Sequence, residues 1–140
     1  MPLNVNPRIG LSFDGDCEAA FRFYERCFNG KIEFLLRWGE SPMAKDAPPE
    51  WSDKILHARI VIGDTALLAA DSLPGTYEPS QGFSLLLSLD DAGDTERLFR
   101  ELSENGTVLM PLQETFWAHR FGVVRDQFGI AWTINYEKSE

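Results

Sequence analysis

Apolar residues recur along this chain with two alternating periods. Ile9, Leu11 and Phe13 alternate with Gly10 and Ser12, the spacing of a strand. Ala20, Phe23, Tyr24, Cys27 and Phe28 then fall at i, i+3, i+4, i+7 and i+8, one stripe of a helix. Asp14 or Asp16 supplies an N-cap oxygen for that helix. Asn29–Gly30 is expected to end it, with Gly30 in the left-handed conformation. Three more strands are predicted at about 31–38, 55–62 and 65–71, the last two joined by a tight turn at Gly63–Asp64. The order then repeats. Phe83, Leu85, Leu87 and Leu89 alternate, Asp90, Asp91 or Asp94 caps, and Thr95, Leu98, Phe99 and Leu102 form the stripe. Asn105–Gly106 closes the second helix. Strands follow at about 107–112, 117–124 and 129–136, with a turn from Asp126 to Gly129.

A shift of 76 residues makes the repetition literal. Leu11, Ser12, Asp14, Phe23, Glu25, Asn29 and Gly30 fall on Leu87, Ser88, Asp90, Phe99, Glu101, Asn105 and Gly106. Ordinary residue usage would give about one or two identities over such a stretch. The period exceeds that of solenoid repeats and points to a duplicated half-domain. The expected organisation is a single α+β domain over 1–140 with two βαβββ modules, about 5–71 and 83–136. Residues 40–54 carry three prolines and read as a long loop, and 72–82 as the linker. Long loops often cover binding sites, so Trp38 and Trp51 beside this one are candidate lids, with core or dimer-interface packing the alternative for each.

Charge and composition narrow the class. The net charge is −9 with a pI near 4.7, and no basic stripe is visible, so electrostatics oppose nucleic-acid binding. No apolar run is long enough for a transmembrane helix. Met1–Arg8 carries Pro and Asn where a signal peptide needs an apolar core. Cys17 and Cys27 share one predicted helix about 15 Å apart, too far for a disulfide. Unpaired thiols suit a reducing compartment, and a cytoplasmic location is expected.

The stretch PLQETFWAHRFGVVRDQFGIAWTIN (Pro111–Asn135) carries an FW…RFG…D.FG..W pattern, and His57–Ala58 precedes Ile62–Gly63–Asp64. Together with Phe23–Tyr24 on the first helix, these residues resemble the PhnB-like branch of the vicinal-oxygen-chelate superfamily, over about Ile9 to Asn135. The resemblance implies two curved four-stranded sheets of mixed and antiparallel strands forming a half-open barrel around a cavity. Superfamily enzymes such as glyoxalase I, extradiol dioxygenases and fosfomycin-modifying transferases hold a divalent metal there, as a Lewis acid. PhnB-like members have often been labelled ubiquinone-pathway methyltransferases. No glycine-rich strand-to-helix loop of Rossmann type stands here to support that label.

The metal positions implied by the resemblance fall on Ile9, which cannot coordinate a cation, and on Thr133, a weak neutral ligand. Phe83 and Ser84, opening the fifth strand, supply no His. The two histidines, His57 and His119, are expected on the third strand of each half in pseudo-symmetric places. With Asp71 they are the alternative metal set. No metal and no cofactor is the expectation. Alternation places Leu56, Ala58, Ile60 and Ile62 on one face and His57 and Arg59 toward the cavity. Thr133 and Asn135 are assigned to the cavity, as are Ser84, Leu86 and Ser88. Trp117 and His119 share a face that is expected to point inward. An aromatic pocket with a few polar groups suits a small, partly apolar organic ligand. Three functions follow: a metal-free binding protein like the bleomycin-resistance members, a metal-dependent enzyme of glyoxalase or dioxygenase type, or an interaction protein without ligand. Exposed strand edges and the superfamily's habit point to a homodimer.

Overall fold

The computed structural model describes residues 2–139, and the chain divides into two compact units, up to Glu78 and from Pro79 onward. The first contains β1 (Ile9–Phe13), α1 (Cys17–Phe28), β2 (Lys31–Arg37), β3 (Ile55–Ile62) and β4 (Thr65–Asp71). The second contains β5 (Leu85–Leu89), α2 (Ala92–Ser103), β6 (Thr107–Gln113), β7 (Ala118–Arg125) and β8 (Ala131–Glu137). The sheet orders are β1-β4-β3-β2 and β5-β8-β7-β6. In each, the first strand runs parallel to the last and the other pairs are antiparallel. Each helix covers one face of its own sheet. Leu11, Phe13, Ala58, Ile60 and Ala69 are buried beneath the α1 stripe, where Phe13 meets Phe21 edge-on at 6.5 Å. Trp132, Val124 and Ile134 are buried on the α2 side. No helix among the described residues is long and apolar enough to cross a membrane.

The strand registers define equivalent positions in the two units. Leu11 pairs with Ala69 and Leu87 with Ile134, so Ala69 corresponds to Ile134. Those residues pair in turn with Ala58 and Gly122. His57 therefore corresponds to Phe121, and the expected pseudo-symmetry of His57 with His119 does not hold. Both units carry a register shift at the same place, Ile32/Phe34 and Val108/Met110.

The helix stops differ from expectation in one respect. Asn29 and Asn105 hold the positive φ, at 52° and 58°, and the glycines after them do not. Asn tolerates this conformation better than other residues with a Cβ. Gly30 and Gly106 are needed for close approach instead. A Cβ on Gly30 would lie 2.8 Å from the Val61 carbonyl oxygen, and one on Gly106 would collide with the Arg125 carbonyl, its equivalent.

The 40–54 segment is ordered by three short 3₁₀ turns at Trp38–Glu40, Ala44–Asp46 and Pro49–Trp51. Its base is closed by Trp38 N–H to Lys54 O at 2.8 Å and Gly39 N–H to Ser52 O at 2.9 Å. Trp38 is buried, so it is a core residue and not a free lid. Trp51 lies under the Lys54 ammonium, 5.8 Å from the ring centre.

Candidate functional site

Asp71 ends β4 and is buried. Its Oδ1 accepts from Gly15 N–H at 3.0 Å and Cys17 N–H at 2.9 Å, and its Oδ2 from Ile55 N–H at 2.8 Å. It thus caps α1 from more than fifty residues away, whereas the Asp16 side chain, at the N-cap position, makes no cap bond. Three backbone amides satisfy this carboxylate, so it is not a free metal ligand. A depression of about 420 Å³ lies beside it, lined by Asp16, Arg22 and Lys54 among others. Burial raises the Asp16 carboxyl above its ordinary value, with Asp71 adding repulsion. Burial likewise pushes up the Cys17 thiol, which also faces Asp71, so this cysteine is an inert core group.

The faces turned away from the helices carry the predicted cavity residues. In the first unit His57 lies against Phe34, ring centres 5.1 Å apart. Arg59 Nε lies 2.8 Å from Glu33 Oε1, an ion pair without hydrogen-bond alignment. Leu68, in register with Arg59, completes this face.

In the second unit Thr133 stands in register with Leu86 and Val123, and Asn135 with Ser88 and Phe121. Ser84 and Thr133 share a hydrogen bond of 2.6 Å. Trp117 Nε1 donates to Asn135 Oδ1 at 3.2 Å, and Asn135 Nδ2 donates to Glu137 Oε1 at 3.2 Å. Trp117 packs edge-on against Phe121, ring centres 5.1 Å apart, and against Phe116 at 4.9 Å. Thr133 and Asn135 are only 8% and 4% exposed, although they face away from α2. Phe121, which alternation puts on one face with Trp117, belongs to this face.

His119 is a correction. It does not share the face of Trp117. In β7, Ala118 pairs with Glu137 and Arg120 with Tyr136, so one extra residue interrupts the ladder. Such a bulge re-aims side chains. The His119 ring lies 4.8 Å from Tyr136, on the helix side. There it lines a shallow cleft of about 320 Å³ with Glu96, Glu114 and Arg120. Arg120 Nε bonds Glu96 at 2.9 Å. Lys138 pairs with Glu114 and holds its carboxyl below the ordinary value.

These side chains do not fit a divalent cation. Ile9 has no donor, the Thr133 hydroxyl is engaged by Ser84, and Asp71 is spent on backbone amides. Among the described residues, no group of three or more His, Cys, Asp or Glu side chains could hold an ion.

Two βαβββ units, each a mixed four-stranded sheet with one covering helix, define the glyoxalase/bleomycin-resistance fold class. The chain belongs to the Glyoxalase/Bleomycin resistance protein/Dioxygenase superfamily, whose family model matches residues 9–134. It is 34% identical over 138 residues to protein YjdN of Escherichia coli K12, covering 93% of this chain and 94% of YjdN. Protein PA1353 from Pseudomonas aeruginosa is similar at 42% identity and a TM-score of 0.84, over 96% of this chain and 100% of that one. The PhnB protein from Bacillus cereus, described as a putative 3-demethylubiquinone-9 3-methyltransferase, shares the fold. Its TM-score is 0.80 at 21% identity, over 94% of this chain and 99% of that one. The PhnB-like resemblance read from the sequence is met.

Proposed function

We propose that this protein binds a small, partly apolar organic molecule on an open sheet face and holds no resident metal there. The observation that carries the reading is the second unit's open face. Thr133 and Asn135 are buried polar groups on the side away from α2, next to the Trp117 and Phe121 rings. A few placed polar groups among aromatic ones are the usual chemistry of a small-molecule site. The methyltransferase description of the PhnB neighbour is not carried over, because the β1–α1 link here is Asp14-Gly15-Asp16 and offers no glycine-rich phosphate cradle.

Saturation-transfer NMR with small aromatic compounds tests the reading, together with metal analysis by mass spectrometry after incubation with Zn²⁺, Ni²⁺, Mn²⁺ and Fe²⁺. Binding that weakens in Trp117→Ala, without stoichiometric metal, is expected. Near-stoichiometric metal lost in His57→Ala would replace it with metal-assisted chemistry.

The same reading includes a homodimer in the cytoplasm. Two buried cysteine side chains support a reducing compartment. The edge positions of β1, β2, β5 and β6 in their sheets support pairing between copies. Light scattering at micromolar concentration is expected to give twice the chain mass, and a monomer would refute the dimer.

A further inference from the structure

We infer that the open face of the second sheet selects an uncharged aromatic molecule bearing hydrogen-bond acceptors. This deepens the binding reading above and rests on it.

The argument is a count of protons. Ser84 Oγ and Thr133 Oγ1 stand 2.6 Å apart. Two hydroxyls bring two protons, and only one can lie between the oxygens. Among the described residues neither hydroxyl bonds to any further protein group. The second proton therefore has no protein acceptor. Asn135 repeats the situation. Its carbonyl oxygen accepts from Trp117 and one amide proton goes to Glu137, which leaves the other amide proton without a protein acceptor. Thr133 and Asn135 are more than nine-tenths buried and Ser84 is half-buried, and buried donors are unfavourable until paired.

Thr133 and Asn135 lie two residues apart on β8, so the unspent donors stand about 7 Å from one another. The surroundings between them are neutral. Leu86 and Val123 flank Thr133 and Phe121 flanks Asn135. At one end the Glu137 carboxylate is engaged by Asn135. At the other, Arg125 Nη1 donates to the Ser80 and Gly129 carbonyls at 3.3 and 3.0 Å. A flat molecule with carbonyl or ether oxygens satisfies the donors and lays its ring on Trp117. A hydrocarbon leaves the donors unpaired, and a carboxylate must desolvate its charge beside the Glu137 carboxylate, with Arg125 Nη1 already donating to backbone carbonyls.

The test uses the full chain and three probes of similar size: chromone, with two acceptors and no charge, naphthalene, with neither, and 2-naphthoate, an anion. Chromone is expected to bind at least about tenfold more tightly than either of the others. Thr133→Val is expected to bring chromone down to the affinity of naphthalene. In the unsubstituted chain, chromone should shift the NMR signal of the Asn135 side-chain amide and naphthalene should not, which needs no variant to fold. Equal binding of chromone and naphthalene, or preference for 2-naphthoate, overturns this inference and leaves the binding reading standing. Failure of all three probes to bind overturns both.

Discussion

On the open face of the first sheet, the polar side chains stand on β3, at His57 and Arg59. The equivalent β7 positions of the second sheet hold Phe121 and Val123. There the polar side chains stand on β8, at Thr133 and Asn135, where β4 has Leu68 and Ala70. The helix starts differ as well. α1 is capped from a distance by Asp71, and Tyr136 occupies the equivalent place in β8. α2 is capped locally, its Asp94 N–H donating to Asp91 Oδ2 at 2.8 Å. The backbone-bound positions are alike in both units: Asn29 with Asn105, and Gly30 with Gly106. Side chains facing a ligand can change between copies of a fold, whereas a glycine pressed against a carbonyl cannot gain a Cβ without cost.

The comparison is broken hardest at the caps. Asp71→Ala strands two buried amides and one half-buried one and is expected to lower stability by about 3 kcal/mol, read as a fall in the urea midpoint. Tyr136→Phe in the other unit is expected to change it by less than about 0.5 kcal/mol. A small effect of the Asp71 substitution would remove the distant cap from the account of the first unit.

The glycines come next. Gly30→Ala and Gly106→Ala should each destabilise by about 2 kcal/mol through overpacking, and calorimetry should find both lowered. If only one were sensitive, the registers would not be equivalent. Loss of the local cap in Asp91→Ala should cost about 1 kcal/mol by the same measurement.

The smallest effect concerns pH. Arg37 bonds Glu18 at 2.9 Å and holds its carboxyl below the ordinary value of 4.5. The folded pKa is depressed, so the stabilisation is present above the unfolded value and is lost as pH falls through the folded one. Both side chains are about a third exposed, which keeps the contribution under about 1 kcal/mol. Arg37→Met should flatten the acid limb of stability against pH by that amount, and an unchanged limb would dismiss the pair.

Periodicity made the fold legible. β3 and β4 fall at their predicted boundaries, and the other strands lie within a few residues of theirs, because alternation and the helix stripe are local properties. The candidate site was legible only where alternation ran uninterrupted, as for Thr133 with Asn135 and for His57 with Arg59. His119 was misplaced because a bulge adds one residue without a local signature and turns that side chain to the other face. The role of Asp71 was hidden because the helix amides it caps are more than fifty residues away in sequence. The left-handed residues were misassigned because Asn and Gly are both permitted there, and the carbonyl that demands Gly belongs to another strand.

The irregularity in β7 also bears on how such a sheet could acquire new chemistry. If the codon for Ala118 were deleted, the ladder would run straight, and His119 would stand opposite Glu137 on the face of Asn135. An imidazole and a carboxylate would then be neighbours across two strands, on the face that carries the Thr133 hydroxyl and the Asn135 amide. No point substitution at His119 achieves that, because the side chain leaves the backbone in the wrong direction. In this half of the molecule, the step from a neutral site toward one able to hold a cation is a change of reading length rather than of residue type.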